Sequence, residues 1–301
     1  RATTAGLVNQ GWKDSEDSVF HDDGRLAEPP IALCEVQAYV YEAKLQASRL
    51  ARALGKVRTA ERLAREAGEL RERFFQAFWQ PELGTYALAL DGKKEPCRVV
   101  ASNAGHTLFT GLASDDHAAG IVKALTGRSS FIDWGIRTVA SGQVRYNPMS
   151  YHNGSVWPHD TAMIAYGMAR YGYRDETVRV LTGMYEASLF MDLRRLPEVF
   201  CGFHRREGEG PTLYPVACSP QAWAAGTAFM LLQACLGLSI DAPERTVYFN
   251  YPVLPAFLNS VTIENLRVGE GVVSMVIERR ERGVTVYLID RVGDVRVTVT
   301  K

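Results

Sequence analysis

The sequence predicts a mainly α protein: a helical toroid followed by a small antiparallel β appendage. Three observations carry this. Segments with helical spacing of apolar residues come in pairs joined by short turns. Long loops rich in aromatic and polar residues separate the pairs. After Asp241 the periodicity changes from helical to alternating. Loops longer than about twelve to fifteen residues are usually functional or disordered, and these are too aromatic for disorder.

The bulk composition suits such a protein. Of 301 residues, 47% are hydrophobic and 23% charged, and 34 Lys and Arg balance 34 Asp and Glu. A chain without net field has no general attraction for nucleic acid, acidic substrates or an anionic membrane, so a neutral partner is expected. No apolar run is long enough to span a bilayer, and no signal-peptide pattern opens the chain. Cys34, Cys97, Cys201, Cys218 and Cys235 are scattered, with no Cys-x-x-Cys pair. Neither a zinc site nor a disulfide framework is expected, and a cytoplasmic setting fits.

Taken in order, residues 1–30 read as loop. Ile31–Leu54 keeps Leu33, Val36, Tyr39, Val40, Ala43 and Leu45 near helical spacing and stops at Gly55. Thr59–Trp79 is laced with Arg and Glu three and four apart. Together they form a helical hairpin. Ser102–Leu112 and Asp115–Leu125 form a shorter pair. A helix following Asp160 runs to Tyr171, with Asp160 read as its N-cap, and Asp175–Met191 follows. Ser219 and Pro220 read as an N-cap and first-turn pair for the last helix, Gln221–Leu238. That helix is apolar almost all round and should be deeply buried. Thr246–Phe249, Val261–Val268, Val272–Glu278, Val284–Ile289 and Val295–Val299 read as strands, with turns at Gly269–Gly271 and Arg282-Gly283. The expected domains are residues 1–243 and 244–301.

The loop Tyr146–Asp160 concentrates Tyr151, His152, Asn153, Trp157, Pro158 and His159 immediately before a helix. Aromatic rings beside Asn, His and Asp suit sugars, which offer flat C–H faces and a rim of hydroxyls. Three carboxyls lie in such loops: Asp14, Asp160 and Glu198. Hydrolysis of a glycosidic bond needs two of them, one protonated to release the leaving oxygen and one to activate water or attack. Asp14 stands near Trp12, and Glu198 lies among Leu196, Pro197, Val199 and Phe200. No metal-ligand spacing accompanies His106 or His152, and no metal or other cofactor is expected.

Taken together, Asn9–Ser15, Ser102–His106, Tyr146–Asp160, Leu196-Pro197-Glu198 and Tyr214–Trp223 resemble the bacterial glycogen-debranching, amylo-α-1,6-glucosidase-like proteins. The resemblance implies an (α/α)6 barrel, the six-hairpin glycosidase architecture shared with glucoamylases and trehalases. In those relatives the acid follows the fifth helix and the base the eleventh. It therefore implies Asp14 as general acid and Glu198 as general base of an inverting enzyme acting on α-glucan. Six expected helices lie between them and one follows, so the chain is expected to hold only the barrel's second half, about seven helices. The missing N-terminal half or a second chain would then be a partner. For a bound α-glucan or oligosaccharide, Trp12, Trp134, Tyr151 and Trp157 would stack, and Lys13, Arg137, His152, His159 and Gln221 would bind hydroxyls. Glu35, in Cys-Glu-Val-Gln, is a further sugar contact or a first-turn acid. Two alternatives stand beside hydrolysis: a glucan-binding fragment without turnover, and an α/α-toroid epimerase. The epimerase would need His106, His152 or His159 to face one another with Glu198 elsewhere.

Overall fold

The computed structural model describes residues 6–281 and 283–301. Residues 1–5 of the expected opening loop, and Arg282 of the expected turn, lie outside them. The element order begins with β1 (Ala32–Leu33), α1 (Cys34–Ala53) and α2 (Val57–Phe78). Three short strands follow: β2 (Trp79–Gln80), β3 (Thr85–Tyr86) and β4 (Ala89–Leu90). Next come α3 (His106–Thr110), α4 (Asp115–Thr126), α5 (Pro158–Arg170), α6 (Arg174–Ser188) and α7 (Ala222–Leu236). The chain closes with β5 (Leu238–Asp241), β6 (Thr246–Asn250), β7 (Ser260–Val268), β8 (Gly271–Arg280), β9 (Gly283–Val292) and β10 (Arg296–Thr300).

The expectation of a mainly α half-toroid with an antiparallel appendage is corrected here. Among the described residues, seven α-helices stand beside 21% strand in four small sheets. Two of those sheets are the antiparallel pairs β1–β4 and β2–β3, set among the helices. The sequence offers Tyr86–Leu90 as a possible small strand, where β3 ends and β4 lies; two-residue strands are too short to show clear alternation, and it misses β1 and β2. The C-terminal strands are not uniformly antiparallel either. β7, β8 and β9 form an antiparallel meander, but β10 returns beside β6 in parallel, with β5 on the other side of β6. Alternation along a strand reports a buried face and is silent about the neighbour's direction.

The helices form near where the periodicity puts them, but the expected helix Ser102–Leu112 is a 3-10 turn, Ser102–Gly105, followed by the five-residue α3, and two helix starts differ for local reasons. α5 starts at Pro158, earlier than expected, because proline at the first helical position lacks only an N–H that would have no partner there. Asp160 therefore lies inside the first turn and is not the N-cap, which is Trp157. α7 starts later than expected, capped by the Gln221 side chain, which accepts from the Ala222 N–H, and not by Ser219. Nor is α7 deeply buried. Ala224, Leu231 and Cys235 face the core, whereas Trp223 and Phe229 are 43% and 78% exposed.

The main apolar core joins α2 through Phe74 and Phe78, α3 through Leu108, α4 through Ile121, α5 through Ile164 and Met168, and α6 through Met184. A second cluster, around Phe20, Leu88, Val99 and Val139, fixes the loops on one side of that core. A third, including Leu236, Phe249, Val273 and Met275, ties α7 to the C-terminal strands. No helix among the described residues is long and apolar enough to cross a membrane.

Candidate active site

The site is built from loops that the core holds together. Val156 pairs with Phe200 through reciprocal backbone hydrogen bonds of 2.9 and 3.0 Å, and Phe200 bridges on to Leu213. Arg137 and Val156 bridge on the other side. This short ladder places the Tyr151–Trp157 loop beside the loop bearing Glu198. The approach is close enough to require glycine: a Cβ on Gly202 would stand 1.7 Å from the Gly154 carbonyl oxygen.

Glu198 is nearly buried. Its Oε1 accepts the Tyr151 hydroxyl at 2.7 Å, and its Oε2 accepts the Cys218 N–H at 3.0 Å. Burial works to raise its carboxyl, but these hydrogen bonds to the charged form outweigh it and hold Glu198 below the usual carboxylate range. The Tyr151 phenol is pushed up by burial and by its bond to Glu198, so it stays a donor. Asp14 lies on the other side of Tyr151–His152. Its side chain is 70% exposed, and Oδ1 is 3.7 Å from His152 Nε2. Tyr151 and His152, adjacent in sequence, thus join the two carboxylates and the space about them: Tyr151 is bonded to Glu198 and His152 lies close to Asp14.

Aromatic rings wall that space. His152 stacks on Trp157 at 5.0 Å, and His159 stacks on Trp223 at 3.9 Å with the planes 2° apart. Trp12 meets His152, Trp157 and His159 edge-on at 5.0–5.6 Å and lies parallel to His106. Burial, as the largest cause, lowers His152 to about 3 and His159 to about 4, so both rings are neutral near pH 7. The histidines thus converge on the Trp12 ring and do not oppose one another across open space. Glu198 belongs to the same cluster, which is not the arrangement an epimerase requires.

Beneath Trp12 lies a buried polar floor. His106 Nε2 meets Asp160 Oδ1 at 2.6 Å, and His106 Nδ1 meets the Tyr39 hydroxyl. Burial alone would raise the Asp160 carboxyl; the His106 bond and the charges of His106, Lys13 and His159 hold it low. Lys13 is buried, and its ammonium donates to the Thr138 carbonyl at 2.7 Å. Burial lowers Lys13 to about 8, while Asp160 and Glu35 keep it from falling further. Glu35 is fully buried in the first turn of α1, and burial raises its carboxyl. Trp12 Nε1, both Glu35 oxygens, Asp160 Oδ2, His152 Nε2 and His159 Nδ1 have no hydrogen-bond partner within the chain.

Among the residues expected at the site, Trp12, Asp14, Tyr151, His152, Trp157, His159 and Glu198 come together. Lys13 and Glu35 lie underneath, away from solvent. Gln221 borders the cluster but spends its side-chain oxygen on its own helix cap. Trp134 and Arg137 lie elsewhere. Trp134 is core, covered by Arg205 and Phe190. The Arg137 guanidinium is committed to the carbonyls of Gly202, Ser129 and Arg128 and packs over Tyr146. Sequence reasoning missed Trp223, although it closes the Tyr214–Trp223 stretch, and Tyr39. No group of three or more His, Cys, Asp or Glu that could hold a metal occurs among the described residues.

No curated protein matches the chain. Among solved structures, similarity extends to a GH63 mannosylglycerate hydrolase of Thermus thermophilus, at 20% identity and TM-score 0.54, over 66% of this chain and 46% of that one. A sialidase aligns over 93% of this chain and 27% of its own, at 12% identity and TM-score 0.66. A GH78 rhamnosidase of Bacillus aligns over 89% and 26%, at 18% identity and TM-score 0.64. The chain thus spans under half the length of each. At such identities the likeness is one of fold. The family model that matches residues 3–192 is the mannosylglycerate hydrolase MGH1-like glycoside hydrolase domain. This replaces the narrower resemblance to glycogen-debranching proteins: the chain belongs to the MGH1-like glycoside hydrolase family.

Proposed function

We propose that these residues serve an inverting glycosidase in which Asp14 protonates the leaving oxygen and Glu198 deprotonates the attacking water. The observation that carries this reading is the unlike settings of two carboxyls flanking Tyr151. Glu198 is held ionised by Tyr151 and the Cys218 N–H, as a base must be. Asp14 is open to solvent, where an acid can be reprotonated after each turnover. In an inverting pair the carboxyls stand about 6.5–9.5 Å apart, with room for water between them.

For the substrate we infer a neutral α-linked sugar such as an α-glucan end. Trp12 and Trp223 offer apolar faces, backed from within by the buried Trp157, and His152 and His159 are uncharged at neutral pH. The cation of the cluster, Lys13, is buried and bonded to Thr138, so it offers nothing to a charged aglycone. The family match favours a second reading, mannosylglycerate, whose glycerate bears a carboxylate.

The test is a panel of α-glucans, α-linked disaccharides and mannosylglycerate, with the anomer released followed by proton NMR. Glu198→Gln and Asp14→Asn are run alongside, each checked for folding by circular dichroism. The expected result is hydrolysis of an α-glucan with initial release of the β anomer, lost in both variants. Initial release of the α anomer, or full activity in either folded variant, overturns the mechanism. Turnover confined to mannosylglycerate overturns the substrate assignment alone.

A further inference from the structure

Lys13 lies between Trp12 and Asp14, yet its side chain turns into the protein. It crosses beneath the Trp12 ring, 5.4 Å from the ring centroid, and ends on the Thr138 carbonyl, 125 residues away. The two buried carboxyls whose charges act on it, Asp160 and Glu35, are themselves fixed. Asp160 is bonded to His106, whose ring lies parallel to Trp12. Glu35 is held on α1 against Gly11, where a Cβ would stand 2.7 Å from its Oε1. Gly11, Trp12 and Lys13 are therefore each gripped by a different part of the interior, and Asp14 is the next residue out. Among the described residues Asp14 itself has no side-chain hydrogen bond, only the 3.7 Å approach to His152.

We propose that Lys13 is a positioning residue for Asp14: an internal ammonium, tied to the Thr138 carbonyl, that fixes the backbone from which the acid projects. This rests on the assignment of Asp14 as the acid. It explains why a lysine is buried beside a site that binds neutral sugars. An ammonium brings a long-range hold through Thr138, and a hydrophobic side chain of the same length would leave that buried carbonyl without its ammonium donor. Lys13 acts only through Asp14, so its loss harms the step that needs a well-placed acid. Misplacement of a catalytic group by about 1 Å lowers rate about 100-fold.

The experiment compares Lys13→Met, Asp14→Asn and the double variant Lys13→Met/Glu35→Gln with wild type. Two substrates are used: α-glucosyl fluoride, whose leaving group departs with little protonation, and an α-linked disaccharide, whose leaving group needs it. Lys13→Met is expected to lose about 100-fold in kcat on the disaccharide, with an unaltered KM and nearly full turnover of the fluoride. The double variant, with one buried charge fewer, regains thermal stability but not disaccharide kcat. Asp14→Asn must show the same dependence on leaving group. If it does not, the acid assignment fails. If it does, and Lys13→Met slows both substrates equally or neither, the positioning role is overturned. A readout independent of turnover is amide hydrogen exchange. Exchange over Gly11–Asp14 is expected to rise at least tenfold in Lys13→Met and in the double variant, with α1 and α5 unchanged. Unchanged exchange in that loop overturns the inference whatever the substrate.

Discussion

The hydroxyl of Tyr151 is the part of the site whose removal has the clearest sign. It donates to Glu198 Oε1 at 2.7 Å, and Tyr151→Phe deletes that bond with little change of volume. The Cys218 N–H remains on Oε2, so the carboxylate is left half-satisfied and not stripped. A hydrogen bond to a charged group contributes about 1.5–3 kcal/mol, and about 1.4 kcal/mol corresponds to one pH unit. The bond stabilises the ionised form, so its loss raises the Glu198 pKa. The lower figure is the better guide, because reorganised water can replace part of the lost bond at the mouth of the site.

The base works only when ionised, so the acid limb of kcat/KM against pH should move up by about one unit in Tyr151→Phe. Activity well above that limb should fall far less. The same sign governs stability. Glu198 is held low in the folded protein, so its contribution is present above its unfolded value and lost as pH falls through its folded one. The variant should lose about 1 kcal/mol at neutral pH, and that difference should vanish in acid. The direct assay is titration of the Glu198 carboxyl by carbon NMR in both proteins, which needs no substrate. An unmoved titration curve would refute the argument that Tyr151 sets the state of the base.

Three further outcomes follow from the same geometry. Arg137→Met removes donors from the carbonyls of Gly202, Ser129 and Arg128 and should cost about 2–4 kcal/mol in urea unfolding, with KM unaltered while the protein is folded. A raised KM at full stability would return Arg137 to the substrate. Trp223→Ala should raise KM about tenfold, on about 1–1.5 kcal/mol per aromatic contact, and leave kcat nearly alone, since Trp223 stacks on His159 and is 43% exposed. An unchanged KM would mean Trp223 is no platform. His152 and His159 are held to about 3 and about 4, mainly by burial, whereas the unfolded chain takes up those protons below about pH 6.5. Stability should therefore decline from pH 6.5 downward, each histidine adding a slope of about 1 kcal/mol per pH unit. His159→Phe should flatten the decline of the urea midpoint between pH 6.5 and 5; a wild-type midpoint that is level over that range would show that the imidazoles are not buried neutral.

How much of this was legible in the sequence depended on the range of the cause. The helices were, because burying one face every third or fourth residue leaves a local trace, as in α1 and α4. The loop from Tyr146 to Asp160 stood out because it gathers polar and aromatic groups densely just before a helix. What escaped was decided by partners far along the chain. Asp160 looked like a cap until His106 claimed it, 54 residues away. Arg137 looked like a sugar ligand, yet its nearest acceptors are the backbone carbonyls of Gly202, 65 residues on, and of Ser129 in its own loop. α7 looked like a core helix because its sequence is apolar, but composition cannot tell which side of an apolar helix is covered.

The division between wall and floor follows from the same distinction. Wall residues such as Trp157 and His152 belong to one contiguous loop, so their chemistry is visible as a cluster in the sequence. The floor is assembled from Lys13, from Glu35 and Tyr39 of α1, and from His106, Thr138 and Asp160, which lie on five segments and mean nothing singly. Each is a common residue in an ordinary place: a lysine in a loop, a glutamate in a first turn, an aspartate after Pro-His. Burial makes them unusual, because an interior charge is tolerated only with partners, and those partners must be in position before the charge is buried. A change in the floor alters together the packing under Trp12 and the backbone that bears Asp14, which is why the strictest test of the proposed site lies at Lys13 and not at the rings above it.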